Sequence, residues 1–221
     1  MRWPSGAASQ AKEQLDVPLP ADNLDFHQLA MVASQNLPRD PTQATREKLR
    51  EIVNYQPCTA VATKTGEETR GGIQAAFWTL RMSDAWTVPV TELTRGAAKS
   101  TVILIADAGR KSAANDLEGL LNQGHRVLAV DPTFYGEAGM GGRTYLHVLL
   151  VATLGQRALG IEAAQISAVS RWAAAEFKMT SEIHTIGPRS SLSALVAKAI
   201  GPKSIGVLHP TQHIDDLHGI I

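Results

Sequence analysis

The stretch Ile183–Ile200, IHTIGPRSSLSALVAKAI, leaves few folds open. A short apolar run, Ile183–Ile186, meets Gly187-Pro188 at once, and an alanine- and leucine-rich helical segment follows with no spacer. Glycine and proline together punctuate local structure, so the pair marks a tight turn between strand and helix. A strand that runs straight into a helix belongs in the middle of a parallel sheet, with the turn above its carboxyl end.

The preceding chain supplies compatible neighbours. Thr101–Ala106 (TVILIA) is a continuous apolar run, the pattern of a strand covered on both faces. A loop, Asp107–Lys111, and a helix over Ser112–Asn122 follow, closed by Gly124. Arg126–Val130 is the next buried strand and ends in Asp131-Pro132. A glycine-bearing loop, Thr133–Gly142, leads to helices over Thr144–Leu154 and Ile161–Phe177, then the strand Glu182–Ile186. After the helix Ser190–Ile200 comes a last strand, Ser204–Leu208. Repeated strand–helix units with right-handed crossovers define an α/β fold.

Upstream the period changes. Thr59–Thr65, Ile73–Met82 and Trp86–Leu93 alternate with period two, with turns at Gly66, Gly71-Gly72 and Ser83-Asp84, as in an antiparallel meander. Trp78 and Trp86 are read as packing residues, and Cys58 as an inward-pointing strand residue. Asp40-Pro41-Thr42-Gln43 carries a helix-start signature, and Leu49, Ile52 and Val53 place an amphipathic helix over Thr42–Tyr55. Residues 1–39 read as a proline-bearing linker or arm in which Phe26, Leu29, Met31 and Val32 form one short helical turn; residues 40–221 read as the folded domain.

Lys and Arg number 21 against 21 Asp and Glu, which removes any global electrostatic case for nucleic acid or an anionic membrane. No run approaches the ~20 apolar residues of a membrane span, and Met1–Ser5 lacks the apolar segment of a signal peptide. The single cysteine excludes an intrachain disulfide. Localisation is not legible in the sequence.

In a parallel sheet, ligands bind beyond the carboxyl ends of the strands, so the loops Asp107–Lys111, Asp131–Gly142 and Gly187–Ser191 matter most, with His209–His218 after the last strand. The turn at Gly187 has the layout of a nucleophile elbow, whose motif is G-x-S-x-G. Here the five residues are Gly187, Pro188, Arg189, Ser190 and Ser191, so arginine stands at the serine position. His209–His218 (HPTQHIDDLH) gathers three imidazoles and two carboxylates within ten residues, but matches no zinc spacing. It reads as a polar loop entering a short helix, Ile214–Ile220. Gly139–Gly142 lacks the Lys-Ser/Thr of a phosphate loop. No metal and no cofactor are expected.

The segment TVILIADAGRKSAANDLEGLLNQGHRVLAVDPTFYGEAG resembles the part of α/β-hydrolases that carries the oxyanion loop, the first helix and the D-x-x-G-x-G-E/S loop. TYLHVLLVATLGQRALGIEAAQISAVSRWAAAEF with the following elbow resembles the acetyl xylan esterase-like and dienelactone-hydrolase-like branch. The likeness spans roughly Asp40 to Ile221. It implies an α/β-hydrolase-like sheet, antiparallel strands first and parallel units after, truncated beyond the strand that follows the elbow.

The resemblance also implies roles. Ala108, Gly109 and Arg110 stand where backbone donors of an oxyanion hole would lie. Asp131 and Gly136-Glu137 match the loop that shapes the pocket floor and are read as structural. Arg189 occupies the nucleophile position, and Ser191 replaces the second small glycine. Ser190 and Ser191 either cap the following helix or reach the cleft as displaced nucleophiles. Asp215 or Asp216 could supply the acid, while His209, His213 and His218 sit on the wrong loop for the family's base. The expectation is an esterase-like domain that is catalytically impaired as this chain. The alternatives are an active carboxylic ester hydrolase using Ser190 or Ser191, and a non-enzymatic binding or assembly module. The implied partners are a small ester or acetylated carbohydrate, and a second copy or another domain of a parent protein at an exposed sheet edge.

Overall fold

The period-two alternation between Ala60 and Thr94 forms three antiparallel strands, β1 (Ala60–Arg70), β2 (Ile73–Met82) and β3 (Trp86–Thr94). Gly66 does not end β1. The strand continues to Arg70 through an irregularity in register between Lys64 and Gly66, and turns at Gly71-Gly72. A bulge absorbs one unpaired residue where a turn was expected. These strands belong to a computed structural model that describes residues 22–36 and 45–211.

The chain divides into two units, Met1–Gln43 and Ala44–Ile221. In the first, α1 (Phe26–Gln35) runs for ten residues, longer than the single turn expected. Its start is a capping box: Asp25 accepts from the Gln28 N–H while the Gln28 side chain accepts from the Asp25 N–H.

In the second unit, α2 (Arg46–Ile52) is capped by the Thr45 hydroxyl, which accepts from the Lys48 N–H. The Asp40–Gln43 start signature lies outside the described residues. After the three antiparallel strands, the continuous apolar runs become β4 (Ser100–Ala106) and β5 (His125–Val130), joined by α3 (Ala114–Asn122), which a short 3₁₀ turn over Arg110–Ala113 precedes. Then follow α4 (Thr144–Thr153), α5 (Ala158–Phe177), β6 (Ser181–Ile186), α6 (Pro188–Ile200) and β7 (Ile205–Pro210). The strand order is β1-β2-β3-β5-β4-β6-β7. β4 pairs in parallel with both β5 and β6, and β6 with β7, while β3 meets β5 antiparallel. The architecture is an α/β sheet with antiparallel strands first and parallel units after, as the patterning requires.

Alternate residues of the parallel strands feed two cores. Val102, Leu104, Ala106 and Val127 pack with Leu120 and Leu121 of α3 on one face. Ile103, Ile105, Leu128, Val130 and Ile183 pack with α5 and α6 on the other. Small residues let α5 lie close: Ala163, Ala164, Ala168 and Ala173 are buried, and Gly160 meets the carbonyls of Val53 and Asn54. Trp78 and Trp172 meet edge-on at 5.4 Å between ring centroids, a packing role. Cys58 precedes β1 and is not itself a strand residue; its carbonyl accepts from Arg171 at 2.6 Å, and burial pushes its thiol pKa up. Among the described residues no helix is long and apolar enough to cross a membrane.

The chain order β4-β5 runs one way across the sheet, and β6-β7 runs the other way from the same β4. That reversal opens a crevice at the carboxyl ends of β4 and β6, where this class of sheet binds ligands. Asp107 follows β4 directly, and Gly187 follows β6.

Candidate functional site

The crevice is built from the three loops the patterning singles out, and their backbones are stitched by carboxylates. Gly187 has φ 115°, a backbone region that side chains disfavour, and a Cβ there would overlap the Asp107 carboxylate. Glycine at the turn therefore lets Asp107 reach the start of α6. Its two oxygens accept from the backbone N–H groups of Arg189 at 3.1 Å and Ser190 at 2.7 Å. Free N–H groups at a helix start are a ready anion site, and here the protein's own carboxylate fills it.

A second carboxylate joins the other two loops. Asp131 accepts from the Arg110 N–H at 2.7 Å and the Glu137 N–H at 3.0 Å. Gly136 has positive φ, and a Cβ on it would also strike Asp131. The Arg110 side chain pairs with Glu137 at 2.5 Å, and Lys111 with Glu137 at 2.7 Å. Hydrogen bonding from Lys111 and the charge of Arg110 hold the Glu137 carboxyl below its usual range. Of the three residues in the oxyanion-loop position, Gly109 gives its N–H to Ala106 at 2.8 Å, Arg110 gives its own to Asp131, and Ala108 is exposed.

Arg189 turns inward along the face of Tyr135, its guanidinium carbon 4.2 Å from the ring centroid. It donates to the Phe134 carbonyl at 3.3 Å and to Glu162 Oε1 at 2.5 Å. Phe134 has φ 75°, uncommon for a non-glycine residue, and its ring meets Trp86 edge-on at 6.1 Å. Glu162 lies on α5, 3% exposed in its side chain. Its other oxygen accepts from Ser193 Oγ at 2.5 Å and from the Tyr135 hydroxyl at 3.3 Å. Burial pushes the Glu162 carboxyl up, and the Arg189 charge and three hydrogen bonds pull the other way. Burial and the Glu162 charge push the Tyr135 phenol well up. Burial disfavours the Arg189 cation, but the charge of Glu162, aided by Tyr135 and Asp107, outweighs it. A hydrogen-bonded Arg189–Glu162 pair thus lies at the elbow, between the start of α6 and α5.

Ser190 is fully buried, and its hydroxyl donates to the Gly187 carbonyl at 3.1 Å. Ser191 Oγ donates to the same carbonyl at 2.7 Å and lies 2.9 Å from Thr185 Oγ1. Among the described residues their partners are a backbone carbonyl and a threonine, and none is an imidazole. The remaining candidates divide. His209 lies within β7, beside His184 of β6, because the β6–β7 register carries on through Pro210, past the expected end at Leu208. Asp215, Asp216, His213, His218 and the helix over Ile214–Ile220 lie outside the described residues. Gln165, also missed by patterning, is buried and ties Thr133 through both its N–H and its hydroxyl.

Patterning singled out Arg189 but not its partners. Glu162 had a signal: it is the lone acid of ALGIEAAQISAV, an otherwise small and apolar helical stretch. A carboxylate in such a stretch is buried and must find a cation.

No protein-family model and no curated protein sequence matches the chain. Solved structures do. A Bacteroides fragilis protein assigned to the acetyl xylan esterases superposes with TM-score 0.68 at 14% identity, over 84% of this chain and 60% of that one. A cold-adapted esterase from an Arctic intertidal metagenomic library gives 0.52 at 16% identity, over 72% and 68%. Acetyl xylan esterase 1 from Thermoanaerobacterium gives 0.53 at 9% identity, over 74% and 55%. The chain therefore has the α/β-hydrolase architecture of solved esterases. It spans about three-fifths of the length of the Bacteroides structure.

Proposed function

We propose that this chain is an esterase-like α/β-hydrolase domain, of the acetyl xylan esterase type, that does not itself carry out serine-dependent ester hydrolysis. One observation carries the reading: the Ser190 N–H is bonded to the Asp107 carboxylate. In the hydrolase elbow, the N–H after the nucleophile is one of the two donors that stabilise the developing oxyanion. With Arg189 at the nucleophile position, that donor is the N–H of Ser190. A fixed carboxylate there uses up the donor and repels the charge that the transition state must build.

The surrounding geometry supports the same reading. Arg189 has no nucleophilic atom and is anchored on Glu162. A displaced nucleophile would need its hydroxyl free and within about 3 Å of a base. The hydroxyls of Ser190 and Ser191 instead close the first turn of α6. The chain then serves as a scaffold or assembly domain, with β1 and β7 as the sheet edges among the described residues.

The test is turnover of a short-chain p-nitrophenyl ester, together with fluorophosphonate labelling read by intact-mass spectrometry. No turnover above buffer and no adduct are expected. Turnover that disappears in Ser190→Ala or Ser191→Ala, but persists in Ser112→Ala, would establish the displaced-serine hydrolase in its place.

A further inference from the structure

On the sheet face that carries α3, three donor side chains of β6 and β7 converge. Glu182 and His184 are two residues apart on β6, so they share a face. His209 is the register partner of His184 on β7. Glu182 Oε2 lies 3.3 Å from His209 Nε2 and 3.8 Å from His184 Nε2. The two imidazole rings are 4.3 Å apart, tilted by 39°. All three donor atoms fall within 4.8 Å of one another.

We propose that Glu182, His184 and His209 form a binding site for a divalent transition-metal ion, with Zn²⁺ the best fit. Zinc binds imidazole nitrogen and carboxylate oxygen at about 2.0–2.2 Å in tetrahedral geometry, which sets neighbouring donors ~3.4 Å apart. The Glu182–His209 spacing already meets that value, and the Glu182–His184 spacing of 3.8 Å lies close to it. The donor set, two neutral nitrogens and one carboxylate, suits zinc, nickel or copper and disfavours the all-oxygen ions calcium and magnesium.

Access and rigidity agree. The side chains of His184, Glu182 and His209 are 26%, 35% and 48% exposed, so an ion can enter and still find the donors held by the strands. A cleft of about 350 Å³ reaches His184 between β6 and α3. Three protein donors leave the fourth position to water. Without an ion, the same cluster places two imidazoles side by side with a single carboxylate to share. Because the donors bridge β6 and β7, a bound ion clips the edge strand to the sheet.

The experiment is calorimetric titration of the full chain with Zn²⁺, paired with Co²⁺ absorption as a report of nitrogen ligation. One ion per chain is expected, with a d–d spectrum on Co²⁺ loading. Loss of an outer-shell partner alone typically costs 10–100-fold in metal affinity. His184→Ala and His209→Ala each remove a direct ligand and should weaken binding by more than about a hundredfold. The near-isosteric Glu182→Gln should also weaken it, in a chain whose circular dichroism matches wild type. The double variant His213→Ala/His218→Ala should bind as wild type does. Zn²⁺ at a hundredfold excess over Kd should raise the melting midpoint by roughly 5–10 °C, and the rise should vanish in His209→Ala. Absence of a one-to-one site, or binding unchanged in both His184→Ala and His209→Ala, would overturn the proposal.

Discussion

Replacing Arg189 with methionine tests whether the residue at the elbow is an anchor. Methionine keeps an unbranched apolar side chain and removes the guanidinium that lies over the Tyr135 ring and meets Glu162 at 2.5 Å. Breaking a fully buried ion pair from one side costs about 3–5 kcal/mol, because the abandoned charge keeps its desolvation penalty. Glu162 is that buried charge, but the Arg189 side chain is 38% exposed, which reduces what the pair contributes. The Ser193 and Tyr135 hydroxyls also remain on the carboxylate. The expected cost is about 2–3 kcal/mol near neutral pH, or a midpoint lower by roughly 4–10 °C.

The pH dependence carries a sign. Burial raises the Glu162 pKa in the folded chain above its unfolded value, and Arg189 opposes that rise. Without Arg189 the folded pKa climbs further, so the folded variant holds its proton to higher pH than the unfolded chain does. Where the folded state binds more protons, stability falls as pH rises. The deficit of Arg189→Met should therefore be small near the unfolded carboxyl range and grow as pH climbs through the folded pKa of Glu162. Urea unfolding at pH 5 and pH 8, followed by tryptophan fluorescence, reads both values, because Trp78, Trp86 and Trp172 pack against the main core. A cost below about 0.5 kcal/mol at pH 8 would refute the anchor. So would a cost that shrinks as pH rises.

Two further outcomes follow from the same contacts. Asp107→Ala removes the carboxylate that accepts from two α6 N–H groups, and cap losses cost about 0.5–2 kcal/mol; urea unfolding should show that loss, and Asp107→Asn should recover part of it. Gly160→Ala drives a Cβ into the carbonyls of Val53 and Asn54, so α5 must shift against the end of α2. Overpacking of this kind costs about 1–3 kcal/mol, read as a lower thermal midpoint with unchanged secondary structure by circular dichroism.

Strand identity in this chain was legible because it is written in single residues. TVILIA has no polar face, so β4 could only be an inner strand, and Gly187-Pro188 could only turn. Boundaries were less legible where pairing decides them. β1 outlasts Gly66 because β2 offers partners beyond it, and β7 includes His209 because β6 does the same. The last strand was expected to end at Leu208, yet it runs to Pro210, because an edge strand tolerates a proline at its terminus. The His184–His209 pair was invisible for that reason: each histidine stood in a different element until the register joined them.

The elbow shows a deeper limit. Arginine at Arg189 reads as a lost serine, a statement about one position. In the fold it is a statement about five. A half-buried guanidinium needs acceptors, and it finds one on Glu162, 27 residues away. A buried carboxylate needs donors, so Ser193 and Tyr135 complete its shell. The helix start takes the carboxylate of Asp107, 82 residues from Arg189. Serine in place of Arg189 would therefore leave Glu162 buried without its cation and Asp107 still on the Ser190 N–H. On the proposed reading, a serine there would act only if the cap were changed as well as the ion pair, because Asp107 holds backbone N–H groups that outlast the Arg189 side chain.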